Sequence, residues 1–193
     1  MAILIGYKKV KTAVFISGNG SNLRNLIKFS KLKRSPISID FIISNNPKSR
    51  GLKYSKIFNI KKKIFNFHKQ TLAEKKVLQA LKENKIKLIC LAGFMKILSK
   101  SFIKKFKGKI INIHPSLLPK YKGLNTHQRI LENKEKYTGC TVHFVTSKLD
   151  SGKIIIQKKL KISKRDNPKS LAKKVLAYEH IIYPKAILKI FNL

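Results

Sequence analysis

Apolar and polar positions alternate along the chain with two different periods. Short apolar runs predict buried β-strands, and we place these at residues 13–17, 37–44, 64–67, 88–92 and 110–113. Apolar residues at helical spacing predict helices between them, which we place after residue 22 and over residues 51–58, 71–81 and 99–106. Strands that alternate with helices are typical of a parallel sheet, so the first two thirds of the chain indicate an α/β fold.

The last third of the chain has a different pattern. Residues 141–145 and 153–161 resemble two strands joined by a polar turn, and we expect them to pair antiparallel at the edge of the sheet. Helices are expected over residues 126–133 and 168–190. We therefore predict one α/β domain with a Rossmann-like, mostly parallel sheet flanked by helices and an antiparallel edge near the C-terminal third.

Three side chains carry more specific expectations. Thr71 can cap the helix that it begins, and Leu72 belongs to the apolar positions that we expect to face inward. Met95 follows a strongly apolar strand and is therefore expected in the core.

The composition is that of an ordinary globular protein. Of the 193 residues, 43% are hydrophobic and 9% are aromatic. The longest apolar run, residues 88–95, is far shorter than the roughly 20 residues that a membrane helix requires, and no secretory signal pattern opens the chain. We expect a cytoplasmic protein with no membrane partner. Cys90 and Cys140 lack CxxC spacing and are expected to be buried thiols rather than disulfide or zinc ligands.

The formal net charge of +36 would normally point to a nucleic acid or an anionic membrane. However, 39 of the 44 basic residues are Lys and they are spread along the whole chain, whereas dedicated nucleic-acid surfaces commonly use Arg for bidentate contacts. Ile and Asn are also abundant, with 27 and 13 copies, and all three residue types have codons rich in A and T. We interpret the charge as a drift in base composition and expect no specific nucleic-acid partner.

The residues from Ser17 to Asn22 form a glycine-rich turn, Ser-Gly-Asn-Gly-Ser-Asn, between the first strand and the first helix. Free backbone N–H groups at such a helix N-terminus favour phosphate. The pattern matches neither the Walker motif nor the dinucleotide fingerprint. Phosphate binding and a plain turn capped by Asn or Ser both remain open on spacing alone.

Asn112 and His114 alternate with isoleucines at the end of a predicted strand, so they share one face of it. An amide and an imidazole at the carboxyl end of a strand suit acyl transfer, in which the amide donates to a developing oxyanion and the imidazole moves protons. His114 could equally be a capped loop residue. Asp150 lies in a polar turn, and sequence separation leaves open whether it meets His114.

Other catalytic signals are weak. His127, His143 and His180 have no metal-ligand spacing, and there is no GxSxG elbow of a serine hydrolase. We expect no metal.

Five segments occur in a specific order: ISGNGSNL, LAGFMKILS, INIHPSLLPKYKGLNTH, TVHFVTSKLDSG and YEHIIYP. In order and spacing they resemble the phosphoribosylglycinamide formyltransferase family, from about residue 12 to residue 184. The resemblance implies the formyltransferase fold, one domain over residues 1–193 with residues 1–11 as an N-terminal extension. It also implies that a formyl group passes from 10-formyltetrahydrofolate to the amine of glycinamide ribonucleotide in purine biosynthesis.

The resemblance also assigns roles to residues. It makes Asn112, His114 and Asp150 the catalytic residues, with Asp150 raising the pKa of the imidazole. It places the ribonucleotide phosphate on Gly20, Ser21 and Asn22, and the ribose hydroxyls on Glu179. The residues assigned to the folate are Met95, Lys96, Ile97, Leu98, Asn112, Thr146, Ser147, Lys148, Leu149 and Asp150. Relatives commonly carry an Arg near Lys69 and Gln70 that reaches the folate tail.

Three alternatives compete with the function that this resemblance implies. Methionyl-tRNA formyltransferase has a further tRNA domain, and formyltetrahydrofolate deformylase has an added N-terminal domain. We expect neither, because 193 residues leave no room for them. A deformylase-like hydrolase shares the Asn-x-His and Asp core and stays the nearest alternative. A basic nucleic-acid-binding protein on a degenerate enzyme fold is the third, and the intact Asn112, His114 and Asp150 argue against it.

Overall fold

The computed structural model describes residues 8–193 and contains a seven-stranded sheet in the order β3-β2-β1-β4-β5-β6-β7. The strands are β1 Val10–Ile16, β2 Ile37–Ser44, β3 Lys61–Ile64, β4 Leu88–Leu91, β5 Lys109–His114, β6 Tyr137–Phe144 and β7 Ile154–Lys161. The helices are α1 Ser21–Ser30, α2 Lys53–Phe58, α3 Gln70–Glu83, α4 Lys100–Lys105, α5 Thr126–Glu132 and α6 Pro168–Ile190, with a 3₁₀ turn at Arg50–Leu52. The predicted α/β class, mostly parallel with antiparallel strands at the C-terminal end, is confirmed.

The chain divides into two compact units, one ending at Ile110 and the other spanning Ile111–Leu193, with the boundary inside β5. In the first unit, β1 pairs parallel with β2 and β4, and β2 pairs parallel with β3. Its strands β1 and β4 are buried along most of their lengths, as strands covered on both faces should be. Each fully buried large apolar side chain, such as Phe15 or Leu26, contributes roughly 2 kcal/mol of transfer free energy.

The first unit differs from the predictions in one strand. β3 lies at Lys61–Ile64 instead of residues 64–67, and all four of its residues are exposed. An edge strand with three consecutive lysines has no apolar pattern that would predict it. This segment is a strand because it pairs with β2.

Three side-chain expectations in the same unit are also wrong. Helix α3 begins at Gln70 after Lys69, with no side-chain cap, so Thr71 does not cap it. Leu72 is 49% exposed, because Ala73, Val77 and Leu81 occupy the inward face. Met95 is 61% exposed and lies outside the core.

In the second unit, β5, β6 and β7 form antiparallel pairs, which confirms the predicted edge hairpin. Helix α6 packs against β6 and β7. Asn167 and Ser170 form a capping box at its start, Pro168 occupies its first turn, and the helix continues through Pro184. Inside this unit, the fully buried Tyr183 donates its hydroxyl to the carbonyl of Ile111 at 3.3 Å.

The remaining structural expectations concern cysteines, membranes and domain count. Cys90 and Cys140 are buried thiols, as predicted. Over residues 8–193, no helix is both long and apolar enough to cross a bilayer. The single-domain assignment stays a prediction, and the first seven residues of the expected N-terminal extension lie outside the described part of the chain.

Candidate active site

The second unit brings Asn112, His114 and Asp150 together. Asn112 and His114 lie on β5 and alternate with Ile111 and Ile113, which are buried. The turn between β6 and β7 carries Asp150 to them: its Oδ2 lies 3.4 Å from Nδ1 of His114 and its Oδ1 lies 3.4 Å from Nδ2 of Asn112. Asp150 therefore meets His114 in the structure, which sequence separation alone left open.

Asp150 is held in place by its own backbone and by the loop after β5. Its φ of 45° lies in the left-handed region, where Asp is better tolerated than most residues with side chains. The N–H of Gly123 donates to Oδ2 at 3.0 Å. Only 8% of the Asp150 side chain is exposed, so the carboxylate is directed inward at the two β5 side chains.

A fourth polar side chain, His143, belongs to this cluster and was not predicted. It stands directly opposite Asn112 in the β5–β6 register. Its Nδ1 lies 2.8 Å from the Phe144 carbonyl, which only accepts, so Nδ1 carries a proton, and its Nε2 lies 3.2 Å from Nδ2 of Asn112. Nε2 is also 3.5 Å from Oδ1 of Asp150. The sequence around His143 predicts only an apolar strand. Its place beside Asn112 depends on how β5 and β6 pair, which the sequence does not show.

The pKa of Asp150 is lowered to about 2. Burial by itself raises this pKa, but the hydrogen bond with His143, the Gly123 N–H and the charge of His114 together outweigh it. Asp150 is therefore ionised throughout the physiological range.

The pKa of His114 is lowered below its ordinary value of 6.5. Burial is the largest cause, since the side chain is only 6% exposed, and the nearby His143 and Arg129 act in the same direction. The Tyr121 carbonyl and Asp150 raise the pKa without reversing the shift. The implied effect of Asp150 is thus present, but burial exceeds it, and His114 is mainly neutral at pH 7 and able to accept a proton.

The first unit contains the glycine-rich turn. Gly20 has φ 71° and immediately precedes α1, which has no side-chain cap, so neither an Asn nor a Ser cap closes this helix. A Cβ on Gly20 would lie 2.7 Å from the Cα of Gly51. The carbonyl of Gly18 accepts from the Ser49 hydroxyl at 2.7 Å and from the Gly51 N–H at 3.0 Å. Ser21 and Asn22 are the first two residues of α1.

The segment from Met95 to Leu98 follows β4 in the first unit. Met95 and Ile97 are each 61% exposed and Lys96 is exposed, whereas Leu98 is buried. The backbone is held from two sides, because the Met95 N–H donates to the Ser17 hydroxyl at 2.8 Å and Gln70 donates to the Ile97 carbonyl at 2.8 Å. The segment thus presents apolar side chains on a fixed backbone.

Two further features of the first unit surround this segment. Gln70 also donates to Glu74 at 2.9 Å, so its side chain links helix α3 to the backbone of this segment. A cavity of about 380 Å³ is lined in part by Ser17, Asn45, Met95 and Lys96. Two of the residues assigned to the folate therefore border an open space.

The other predicted binding residues lie in the second unit. Glu179 is a buried residue of α6, 7% exposed. Thr146, Ser147, Lys148 and Leu149 form an exposed segment immediately before Asp150. Among residues 8–193, no group of three or more His, Cys, Asp and Glu side chains is arranged to hold a metal ion.

Comparisons with known proteins identify the family. The model of the formyl transferase family matches residues 10–187. Phosphoribosylglycinamide formyltransferase of Haemophilus influenzae is 40% identical over 180 residues, which are 92% of this chain and 85% of that protein. The trifunctional purine biosynthetic protein adenosine-3 of Gallus gallus is 43% identical over 183 residues, 93% of this chain, but the chain spans only 18% of that protein's length.

The solved structures lead to the same family. The crystal structure of phosphoribosylglycinamide formyltransferase from Brucella melitensis superposes with a TM-score of 0.88 at 40% identity, covering 95% of this chain and 96% of that one. The enzyme from Anaplasma phagocytophilum gives the same TM-score and identity, with coverages of 93% and 85%. With a family model that spans residues 10–187 and relatives near 40% identity over most of their own length, this chain belongs to the formyl transferase family, among the phosphoribosylglycinamide formyltransferases.

Proposed function

We propose that the protein transfers the formyl group of 10-formyltetrahydrofolate to the amine of glycinamide ribonucleotide, in the cytoplasm, as a step of purine biosynthesis. One observation carries the proposal: in a chain of this family, the Asp150 carboxylate lies 3.4 Å from the His114 imidazole and 3.4 Å from the Asn112 amide. These are the groups that an acyl transfer to an amine requires.

The reaction moves one proton and exchanges one C–N bond. The amine nitrogen attacks the formyl carbon, the new N–C bond forms, and the bond between the formyl carbon and the folate nitrogen breaks. The amine gives up a proton and the departing folate nitrogen takes one. The protein must therefore stabilise a transient oxyanion and carry a proton between two nitrogens.

Asn112, His114 and Asp150 can perform both tasks. The Asn112 amide has long contacts to His143 and Asp150, 3.2 and 3.4 Å, which a substrate oxyanion would outcompete as a hydrogen-bond acceptor. Neutral His114 accepts the amine proton, and the ionised Asp150 stabilises the imidazolium that results. Asn112 then donates to the oxyanion, the positive charge of protonated His114 stabilises it, and His114 returns the proton, through water, to the departing nitrogen.

The substrates are assigned to the remaining residues. Gly20, Ser21 and Asn22 hold the ribonucleotide phosphate, a role supported by the uncapped N-terminus of α1 with no acidic residue in its first turn. Glu179 accepts from the ribose hydroxyls. The folate contacts the segments Met95–Leu98 and Thr146–Leu149, through their exposed apolar side chains and their backbone. The chain uses the folate as co-substrate and needs no metal.

The test is a spectrophotometric assay of donor loss with and without glycinamide ribonucleotide. Transfer predicts that the formyl donor disappears only when the ribonucleotide is present. Equal donor loss in water alone would identify a deformylase-like hydrolase instead. No donor loss under either condition, with tight sequence-selective nucleic-acid binding at physiological salt, would favour the basic binding protein.

A further inference from the structure

The ring of His114 is fixed by a backbone carbonyl on its far side. Nε2 lies 2.8 Å from the carbonyl oxygen of Tyr121, and that oxygen can only accept, so Nε2 must carry the proton. Nδ1, which lies 3.4 Å from Oδ2 of Asp150, is then the nitrogen with a free lone pair. The Tyr121 carbonyl thus selects the Nε2–H tautomer of His114. In this tautomer an incoming proton binds to Nδ1, beside the Asp150 carboxylate.

Tyr121 holds this carbonyl in an unusual backbone conformation. Its φ of 56° lies in the left-handed region, which residues with a Cβ rarely adopt unless other contacts impose it. The neighbouring carbonyls of Lys120 and Lys122 accept hydrogen bonds from Ser116 and Arg129, and the Tyr121 side chain adds contacts of its own. Its hydroxyl donates to Oε1 of Glu135 at 2.9 Å and accepts from the Asn133 amide at 3.1 Å, while the Arg129 guanidinium lies 5.6 Å from the ring centre.

We propose that Glu135 and the Tyr121 hydroxyl are positioning residues, which lock the Tyr121 carbonyl against His114 and thereby keep the His114 proton on Nε2. Neither residue needs to touch a substrate. The consequence for catalysis rests on the proposed function, but the consequence for the tautomer does not. Lys120, which pairs with the same Glu135 oxygen at 2.9 Å from a side chain that is 66% exposed, has no part in this lock.

Several charged groups face His114 and must stay constant in a test. Asp150 and His143 act on it from the turn after β6 and from β6 itself, and Arg129 and His127 act on it from α5. Tyr121→Phe removes only the hydroxyl and leaves these four groups in place. A change in the behaviour of His114 in that variant therefore reports on the Tyr121 carbonyl.

The experiment compares four variants with the unmodified protein: Tyr121→Phe, Glu135→Ala, Glu135→Gln and Lys120→Gln. Long-range ¹⁵N–¹H NMR of the His114 ring reports the tautomer directly, without substrate. We expect a pure Nε2–H tautomer in the unmodified protein and a mixture in Tyr121→Phe and Glu135→Ala. Glu135→Gln keeps an acceptor for the hydroxyl and should restore the tautomer, and Lys120→Gln should match the unmodified protein.

Kinetics give the second measurement. Tyr121→Phe and Glu135→Ala should lower kcat by on the order of 10-fold, with KM for both substrates within about twofold, as expected for partial loss of an aligned proton-transfer group. The apparent pKa on the acidic side of kcat/KM should fall, because the carbonyl contact raises the pKa of His114. Thermal unfolding checks that the variants are folded.

Two results would overturn the proposal. An unchanged Nε2–H tautomer in both Tyr121→Phe and Glu135→Ala would show that the lock does not control the ring. A mixed tautomer in Lys120→Gln as severe as in Glu135→Ala would show that general surface charge, not the hydroxyl contact, is responsible. If no formyl transfer is found at all, the proposed function fails, while the NMR result still decides this inference.

Discussion

The shape of the glycine-rich turn depends on the contact between Gly20 and Gly51, and Gly20→Ala tests this dependence. Gly20 has φ 71°, a conformation that disfavours any residue with a Cβ. The added Cβ would lie 2.7 Å from the Cα of Gly51, a backbone atom that has no rotamer with which to withdraw. On the other side, the Gly51 backbone is tied to the Gly18 carbonyl at 3.0 Å, so the two segments cannot separate freely.

Two effects lower the free energy of unfolding of the Gly20→Ala variant. The left-handed conformation disfavours Ala relative to Gly by about 1 kcal/mol. Relieving the overlap with Gly51 requires shifts of packed backbone, which typically destabilise by about 1–3 kcal/mol. The free energy of unfolding should therefore fall by about 2–4 kcal/mol, and Tm by roughly 5–15 °C for a chain of this size.

Gly18→Ala in the same turn is the matched control. A Cβ at Gly18 would find nothing within 4 Å, and its φ is not positive. Its unfolding free energy should stay within about 0.5 kcal/mol of the unmodified protein. Urea unfolding of both variants, followed by circular dichroism, provides the measurement. If Gly20→Ala unfolds at the same urea concentration as Gly18→Ala, the argument that the Gly20–Gly51 contact shapes the turn is refuted.

Further predictions concern other parts of the molecule. Asp150→Asn should lower kcat by on the order of 10²-fold or more with a smaller effect on KM, and near-normal turnover in steady-state kinetics would contradict its coupling to His114. Since the pKa of His114 is lowered, kcat/KM should hold as pH falls to 6.5 and decline only at lower pH, where the base becomes protonated. Burial raises the pKa of Cys140 to about 12, so iodoacetamide at pH 8 should leave it unmodified in the folded protein by mass spectrometry; rapid labelling would contradict this. Glu74→Ala removes the acceptor for both the N–H and the hydroxyl of Ser99 and should lower the unfolding free energy by about 2 kcal/mol in urea, whereas no change would show that the contacts are dispensable.

Strong local signals explain which elements the sequence could predict. β2 was predicted over its observed range, since Pro36 precedes it and Asn45, Asn46 and Pro47 follow it. α6 was predicted over its observed range, residues 168–190, and a Pro at its start fits the first turn of a helix.

Elements that depend on tertiary contacts were harder to predict. β3 has no apolar alternation, and only its pairing with β2 makes it a strand. Leu72 satisfied a helical pattern, but the face of α3 that turns inward was decided by packing.

The candidate site divides in the same way. Alternation on β5 was sufficient to place Asn112 and His114 on one face. The approach of Asp150 needed the hairpin between β6 and β7, and the motif resemblance supplied what spacing could not. His143 was missed, because its position opposite Asn112 depends on the β5–β6 register, and no local pattern encodes the pairing of two residues 31 positions apart.

The fate of the formyl carbon tests the central claim most directly. The protein is given 10-formyltetrahydrofolate labelled with ¹³C in the formyl group together with glycinamide ribonucleotide, and the products are followed by ¹³C NMR and mass spectrometry. The account predicts that each labelled formyl group lost from the donor appears on the amine of the ribonucleotide, and that Asp150→Asn slows this transfer without changing the product. Recovery of the label as formate, with the ribonucleotide unmodified, would contradict it.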